Sequence, residues 1–252
     1  MRKKLKIISK IGFRLILLVG VFALGFYAYS KSQTMLCDEM KIDIDYQGIE
    51  PIIDREEIVN DILLRYDSLQ GVRMGDLPLE SLETYLKQIP EVENAEVYTS
   101  IGGKLGINVK QRIPIGKIFT DNGNSYYIDK TGFIYQPKFE GNSRIPIING
   151  NIPQNLETNS KLANDIALII NAINKQKFLQ DLIEEIYIND KKEFELIPKI
   201  GKQIILLGDI SQLNEKLKNL ELFYAQGMKP ADGWNKYKKI NLKFNKQVVC
   251  TK

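Results

Sequence analysis

Apolar and polar positions along this chain fall into three textures. From Ile11 to Tyr29 the run IGFRLILLVGVFALGFYAY is almost wholly apolar. At about 1.5 Å of helical rise per residue it reaches roughly 28 Å, enough to cross a hydrocarbon core of about 30 Å. Its one charge, Arg14, sits near the start, where a guanidinium can reach the headgroups. The second texture begins with strand-like alternation at Ile42, Ile44 and Tyr46, broken by Gly48 and Pro51. Asp54 offers an N-cap, and Ile58, Ile62 and Leu63 form a helical stripe ending before Asp67. A second helix from Pro78 carries Leu79, Leu82, Tyr85, Leu86 and Ile89 on one face, and Pro90 stops it. Strands follow over 92–99 and 104–110, turned at Gly102-Gly103. The predicted order is strand, helix, helix, strand, strand.

After Gln111-Arg112-Ile113-Pro114 the texture changes again. Short runs over 115–120, 125–128 and 133–135, with turns at Asp121-Asn122-Gly123 and Asp129 to Gly132, predict hairpins. A strand is expected over 145–148 and a helix over 160–175, with Leu162, Ile166, Ile169, Ile170 and Ile173 as its stripe. Strands over 183–188, 194–197 and 203–207 precede a helix over 211–226, for which Gly227 would be the left-handed stop. Last, Ile240, Leu242 and Phe244 alternate with Lys239, Asn241 and Lys243. The expected fold class is α+β. It comprises a stub (1–10), a transmembrane helix (11–30), a linker (31–40), a βααββ domain (41–112) and a mixed β-rich domain with two helices (113–252).

Charge decides the topology. The chain carries 35 basic and 31 acidic residues, but Arg2, Lys3, Lys4, Lys6, Lys10 and Arg14 precede any acid, leaving 29 against 31 in the remainder. The positive-inside bias puts the N-terminus in the cytoplasm and the body outside. A cleaved signal peptide is the rival reading, with Ala28-Tyr29-Ser30 as its site. Against it, the apolar run exceeds the roughly 7–15 residues of a signal core, and bulky Phe26 and Tyr27 crowd the site. From Lys229 onward seven lysines face Asp232 alone, either a solvated edge or a surface for an acidic partner. Cys37 and Cys250 are the only cysteines, and the exported compartment permits a bridge or two separate thiols. The absence of histidine removes Cys/His metal sites, Ser-His-Asp and Cys-His catalysis and any histidine proton shuttle.

The run Ile89-Pro90-Glu91-Val92-Glu93-Asn94-Ala95-Glu96-Val97, then Leu105 to Val109 and Gln111 to Gly116, resembles the POTRA region of the FtsQ/DivIB family, bitopic bacterial cell-division proteins. Asp129-Lys130-Thr131-Gly132 is similar to that family's DxxG turn. Residues 239–244 are similar to its terminal strand, with Asn241, Lys243 and Phe244 in place of an acid, Arg and Tyr. An apolar face opposite a lysine-rich face is how an exposed sheet edge discourages aggregation, and such an edge is also a template for strand addition. A plain structural strand is the alternative. The resemblance implies a non-enzymatic scaffold in the inner (plasma) membrane at the division septum. Its distal domain would receive a segment of an FtsB/DivIC-type subunit, itself paired with an FtsL-type coiled coil. Ile240, Leu242, Lys243 and Phe244 would pair with the incoming strand, and Val248 and Val249 would extend the edge. The POTRA unit would offer a second docking surface for other division proteins. No cofactor, metal, nucleic acid or small-molecule substrate is expected.

Three rivals stand beside this reading. Catalysis would need a carboxylate pair. Glu184 and Glu185 are adjacent on a strand and so point to opposite faces, while Asp121 and Asp129 occupy turn positions that favour Asp for backbone reasons. An outer-membrane assembly or export protein with POTRA domains would need a long series of barrel strands, which the two helices after residue 113 interrupt. A generic envelope-anchored binding domain is the third.

Overall fold

The computed structural model describes residues 2–100, 102–136, 138, 144–228, 234, 236–244 and 246–252, and the side chains of all of these except 2–13, 32 and 227. It divides into two compact units, Met1–Asp45 with Ile53–Gln111, and Tyr46–Ile52 with Arg112–Lys252.

The first unit opens with α1 (Arg2–Thr34), a single 33-residue helix. Its Arg14–Lys31 segment is long and apolar enough to cross a membrane, and none of it is buried against protein. The helix continues four residues past position 30, into the expected linker. Then come β1 (Glu39–Asp45), α2 (Arg55–Tyr66), a 3-10 turn (Met74–Asp76), α3 (Leu79–Gln88), β2 (Val92–Ser100) and β3 (Lys104–Gln111). The Asp54 carboxylate caps α2 by accepting from the Glu56 N–H at 2.9 Å, satisfying one orphan amide of the first turn. The sheet order is β1-β3-β2, with β1 parallel and β2 antiparallel to the central β3. Ile58, Ile62, Leu82 and Leu86 from the helices share one core with Ile42, Val92, Ala95, Leu105, Ile107 and Val109 from the strands. Each of the Ile, Leu and Val side chains stabilises by about 1.5–3 kcal/mol on burial, so the apolar run around Pro90 serves packing. The βααββ order is the one read from the periodicity, with the 3-10 turn added.

The second unit contains β4 (Pro114–Phe119), β5 (Ser125–Asp129), β6 (Ile134–Tyr135), β7 (Ile147–Gly150), α4 (Lys161–Asn174), α5 (Lys177–Leu182), β8 (Ile183–Ile188), β9 (Phe194–Pro198), β10 (Ile204–Gly208), α6 (Leu213–Gly227), β11 (Lys239–Asn241) and β12 (Val249–Thr251). They build one nine-stranded sheet in the order β12-β11-β10-β9-β8-β7-β4-β5-β6. Ile166, Ile169, Ile170 and Ile173 of α4 and Leu217, Leu220 and Tyr224 of α6 share its core with Ile118, Ile148, Ile186, Leu196, Ile205 and Ile240.

Two expectations need correction here. The domain has a third helix, α5. Gly227 is the last helical residue and the cap is Met228 at φ −102°, so no left-handed glycine ends α6. Residues 46–52 pack with the second unit, where Ile52 meets Tyr127 and Tyr135.

Candidate functional site: the open end of the sheet

β11 runs parallel to β10, with Ile204 opposite Lys239 and Leu206 opposite Asn241. On its other side it runs antiparallel to β12, with Ile240 opposite Cys250. The Lys238 N–H donates to the Thr251 carbonyl at 2.7 Å, and the Leu242 N–H donates to the Leu206 carbonyl at 3.0 Å. The expectation that Ile240 and its neighbours form the open edge is therefore corrected. Residues 239–241 are flanked by two strands of their own sheet, and the terminal strand is β12.

The six expected contact residues separate accordingly. Ile240 and Leu242 are buried in the core, so they support the edge from beneath and do not face a guest. Lys243 extends to Glu193, Nζ to Oε2 at 3.1 Å. Phe244 is 53% exposed and Val249 42% exposed, a large apolar pair at the surface of the last hairpin. Val248 is half-buried and packs on the core. It also lines a groove of about 360 Å³ with Asn219, Leu222, Phe223 and Gln226 of α6 and Lys246. Sequence reasoning missed that Cys250 and Thr251 are edge residues. The available signal was the short β-propensive run Val248-Val249-Cys250-Thr251 after a polar turn, in which Lys246 takes φ +56°.

Beneath this end lies an aromatic nest. Tyr224 contacts Phe178, Phe223 and Trp234 at ring-centroid distances of 5.7, 6.0 and 5.3 Å, and Phe223 contacts Tyr237 at 5.8 Å. Gln203 Nε2 donates to the Tyr224 hydroxyl at 2.7 Å. Burial pushes the Tyr224 phenol up to about 12 and also raises the Cys250 thiol, so both groups are neutral at physiological pH. Lys236, Lys238, Lys239, Lys246 and Lys252 are exposed around the hairpin, while Lys229 and Asp232 lie outside the described residues. The end of the sheet is thus apolar at its centre and cationic at its margin.

The other singled-out residues take ordinary places. Glu184 and Glu185 lie between buried Ile183 and Ile186 on β8, at a register shift in its pairing with β9 that interrupts the simple alternation expected of them. Asp129 closes its turn: Oδ1 accepts from Thr131 N–H at 2.7 Å, from the Thr131 hydroxyl at 2.6 Å and from Phe133 N–H at 3.1 Å, and Oδ2 holds Arg112. Asp121 is exposed in the β4–β5 turn. Among the described residues no group of three or more His, Cys, Asp or Glu could hold a metal ion. Cys37 and Cys250 are both free thiols.

Comparison with known families assigns both units. Residues 113–251 match the family model described as FtsQ/DivIB, C-terminal related, and residues 35–110 match the POTRA-like domain. No curated protein matches the chain.

Proposed function

This chain belongs to the FtsQ/DivIB family of cell-division proteins, and from that premise we propose that it is a non-enzymatic, membrane-anchored scaffold that captures a partner strand on β12. The N-terminal stub lies in the cytoplasm, α1 spans the plasma membrane once, and both units work outside the cell or in the periplasm, at the septum. The captured strand comes from an FtsB/DivIC-type subunit paired with an FtsL-type coiled coil. The first unit provides a further surface for other division proteins.

The observation that carries this reading is that β12 ends the nine-stranded sheet, with β11 on its inner side and no strand on its outer side among the described residues. A terminal strand offers unpaired backbone donors and acceptors to an incoming segment. Phe244, Val248 and Val249 supply apolar contacts, and the lysines favour an acidic flank on the guest. Charged rim groups of this kind act chiefly on encounter rate and salt dependence. Ile240 and Leu242 hold the edge in place, and Lys243 orders the hairpin through Glu193.

The test is co-purification of the full chain with the coiled-coil pair. Phe244→Asp and Val249→Asp lose the pair while still inserting in the membrane and melting as the parent does. Capture at the parent level by both variants would refute the edge as the docking site.

A further inference from the structure

The junction between α1 and the first domain is a ladder and not a tether. Met74 N–H donates to the Met35 carbonyl at 2.8 Å, Cys37 N–H to the Val72 carbonyl at 2.7 Å, and Gly71 N–H to the Cys37 carbonyl at 2.8 Å. Asp38 N–H donates to the Gly103 carbonyl at 2.7 Å, and Gln70 Nε2 reaches the Asp38 carbonyl at 3.1 Å. Leu36 and Arg73 form a bridge pair. Two glycines are fitted to this junction. A Cβ on Gly103, which stands at φ +79°, would lie 2.6 Å from the Leu36 carbonyl oxygen. A Cβ on Gly75 would lie 2.6 Å from Gln33 Oε1 and 3.2 Å from the Gln33 carbonyl oxygen. The Cys37 side chain is buried in the domain core. The chain thus passes from helix to domain core within three residues, with the 71–76 segment laid alongside.

The position of this ladder follows from the helix. The apolar segment ends at Lys31 and the helix at Thr34, so the ladder begins about 5 Å beyond the span at 1.5 Å per residue. The polar zone between a bilayer's core and water is roughly 5–8 Å deep on each side. Residues 35–37 and 71–74 therefore fall at headgroup depth. Their exposed chemistry suits that zone. Leu36 is 57% and Met35 39% exposed, Val72 is half-buried, and Arg73 is exposed beside them.

We infer that the first domain is seated on the outer leaflet: Leu36, Met35 and Val72 enter the headgroup layer and Arg73 reaches lipid phosphates, so anchor and domain move as one piece. This rests on the reading of α1 as a membrane span. Lys31 and Arg73 are offset by Asp38 and Asp76, so the contact needs no anionic lipid. Its consequence is that the β1-β3-β2 sheet is presented at a fixed height and tilt above the membrane.

The test uses the full chain, with Trp234→Phe to remove its only tryptophan, in phosphatidylcholine vesicles brominated either near the headgroup or deep in the acyl chain. Single tryptophans are introduced by Leu24→Trp, Leu36→Trp and Val72→Trp. The deep quencher acts on the Leu24→Trp protein, and the shallow quencher acts comparably on the Leu36→Trp and Val72→Trp proteins. Adding Gly103→Ala, with the domain's circular dichroism unchanged, at least halves quenching at 72 and leaves that at 36. Quenching at 24 and 36 with none at 72 would overturn the seated domain while leaving the anchor intact. No quenching at 24 would overturn the anchor itself, and the inference with it. Equal quenching at 72 with and without Gly103→Ala would show that the ladder does not hold the domain down.

Discussion

The two ends of the nine-stranded sheet are finished in opposite ways. At the β6 end the last strand has only Ile134 and Tyr135, both buried. Its outer backbone is satisfied by one side chain: Ile134 N–H donates to Thr158 Oγ1 at 3.0 Å, and the Thr158 hydroxyl donates back to the Ile134 carbonyl at 3.1 Å. Tyr127, Tyr135, Phe133 and Ile52 pack there, and the Arg112 guanidinium lies 4.0 Å from the Phe133 ring centroid while paired with Asp129. At the β12 end Val249 and Thr251 are exposed, and every charged side chain within residues 236–252 is a lysine. Burying and capping an edge removes it as a pairing template, whereas surrounding an edge with like charge deters self-association and still admits an oppositely charged guest. One end is a structural seam; the other is left open among the described residues.

Substitutions that break this contrast should sort by size. Asp129→Ala removes three turn hydrogen bonds and the ion pair with Arg112, whose side chain is 12% exposed. Removing one partner of a buried ion pair costs up to about 3–5 kcal/mol, so thermal unfolding of the second unit should show a large loss, with partner capture per folded molecule unchanged. Thr158→Val leaves the Ile134 N–H and carbonyl without their Thr158 partner, a cost of about 1–3 kcal/mol. It should also promote association through the β6 edge, detectable by sedimentation. Ile240→Val deletes one methylene from a fully buried site and should cost about 1 kcal/mol without weakening capture. A contact residue would show the reverse.

The smallest effect lies in pH. Asp209 is lowered to about 2, by the Ser211 hydroxyl and then by Lys216. A lowered carboxylate contributes stability that is present above its unfolded value and lost as pH falls through the folded one. Asp209→Asn should therefore flatten the acid limb of the stability profile between about pH 4 and pH 2. The change is slight, because the carboxylate is 75% exposed and screened.

Much of this fold was legible because burial imprints a period on the sequence. The stripe Ile166, Ile169, Ile170, Ile173 predicts α4, and the strand expected over 183–188 is β8. The helix α5 escaped because six residues offer under two turns of pattern, and so short a helix is held by packing of Leu179 and Leu182. The terminal strands show a subtler limit. Alternation over 239–244 correctly puts Ile240 and Leu242 on the inward face, but a period of two reports which face is buried and carries nothing about whether a neighbour pairs at the side. That is decided by where the chain returns. Here it returns eight residues later as Val249–Thr251, a strand too short to leave a pattern. The anchor-to-domain ladder was equally hidden, since residues 35–37 pair with 71–74 through backbone atoms.

Whether β12 or β11 is the receiving edge can be read by hydrogen exchange on the full chain with and without the FtsB/DivIC-type and FtsL-type pair. Amides of 239–241 should already be protected in the free protein, and binding should add protection at 249–251. New protection at 239–241, with 249–251 unchanged or more exposed, would mean that the last strand swings aside for the guest, and would contradict capture on β12.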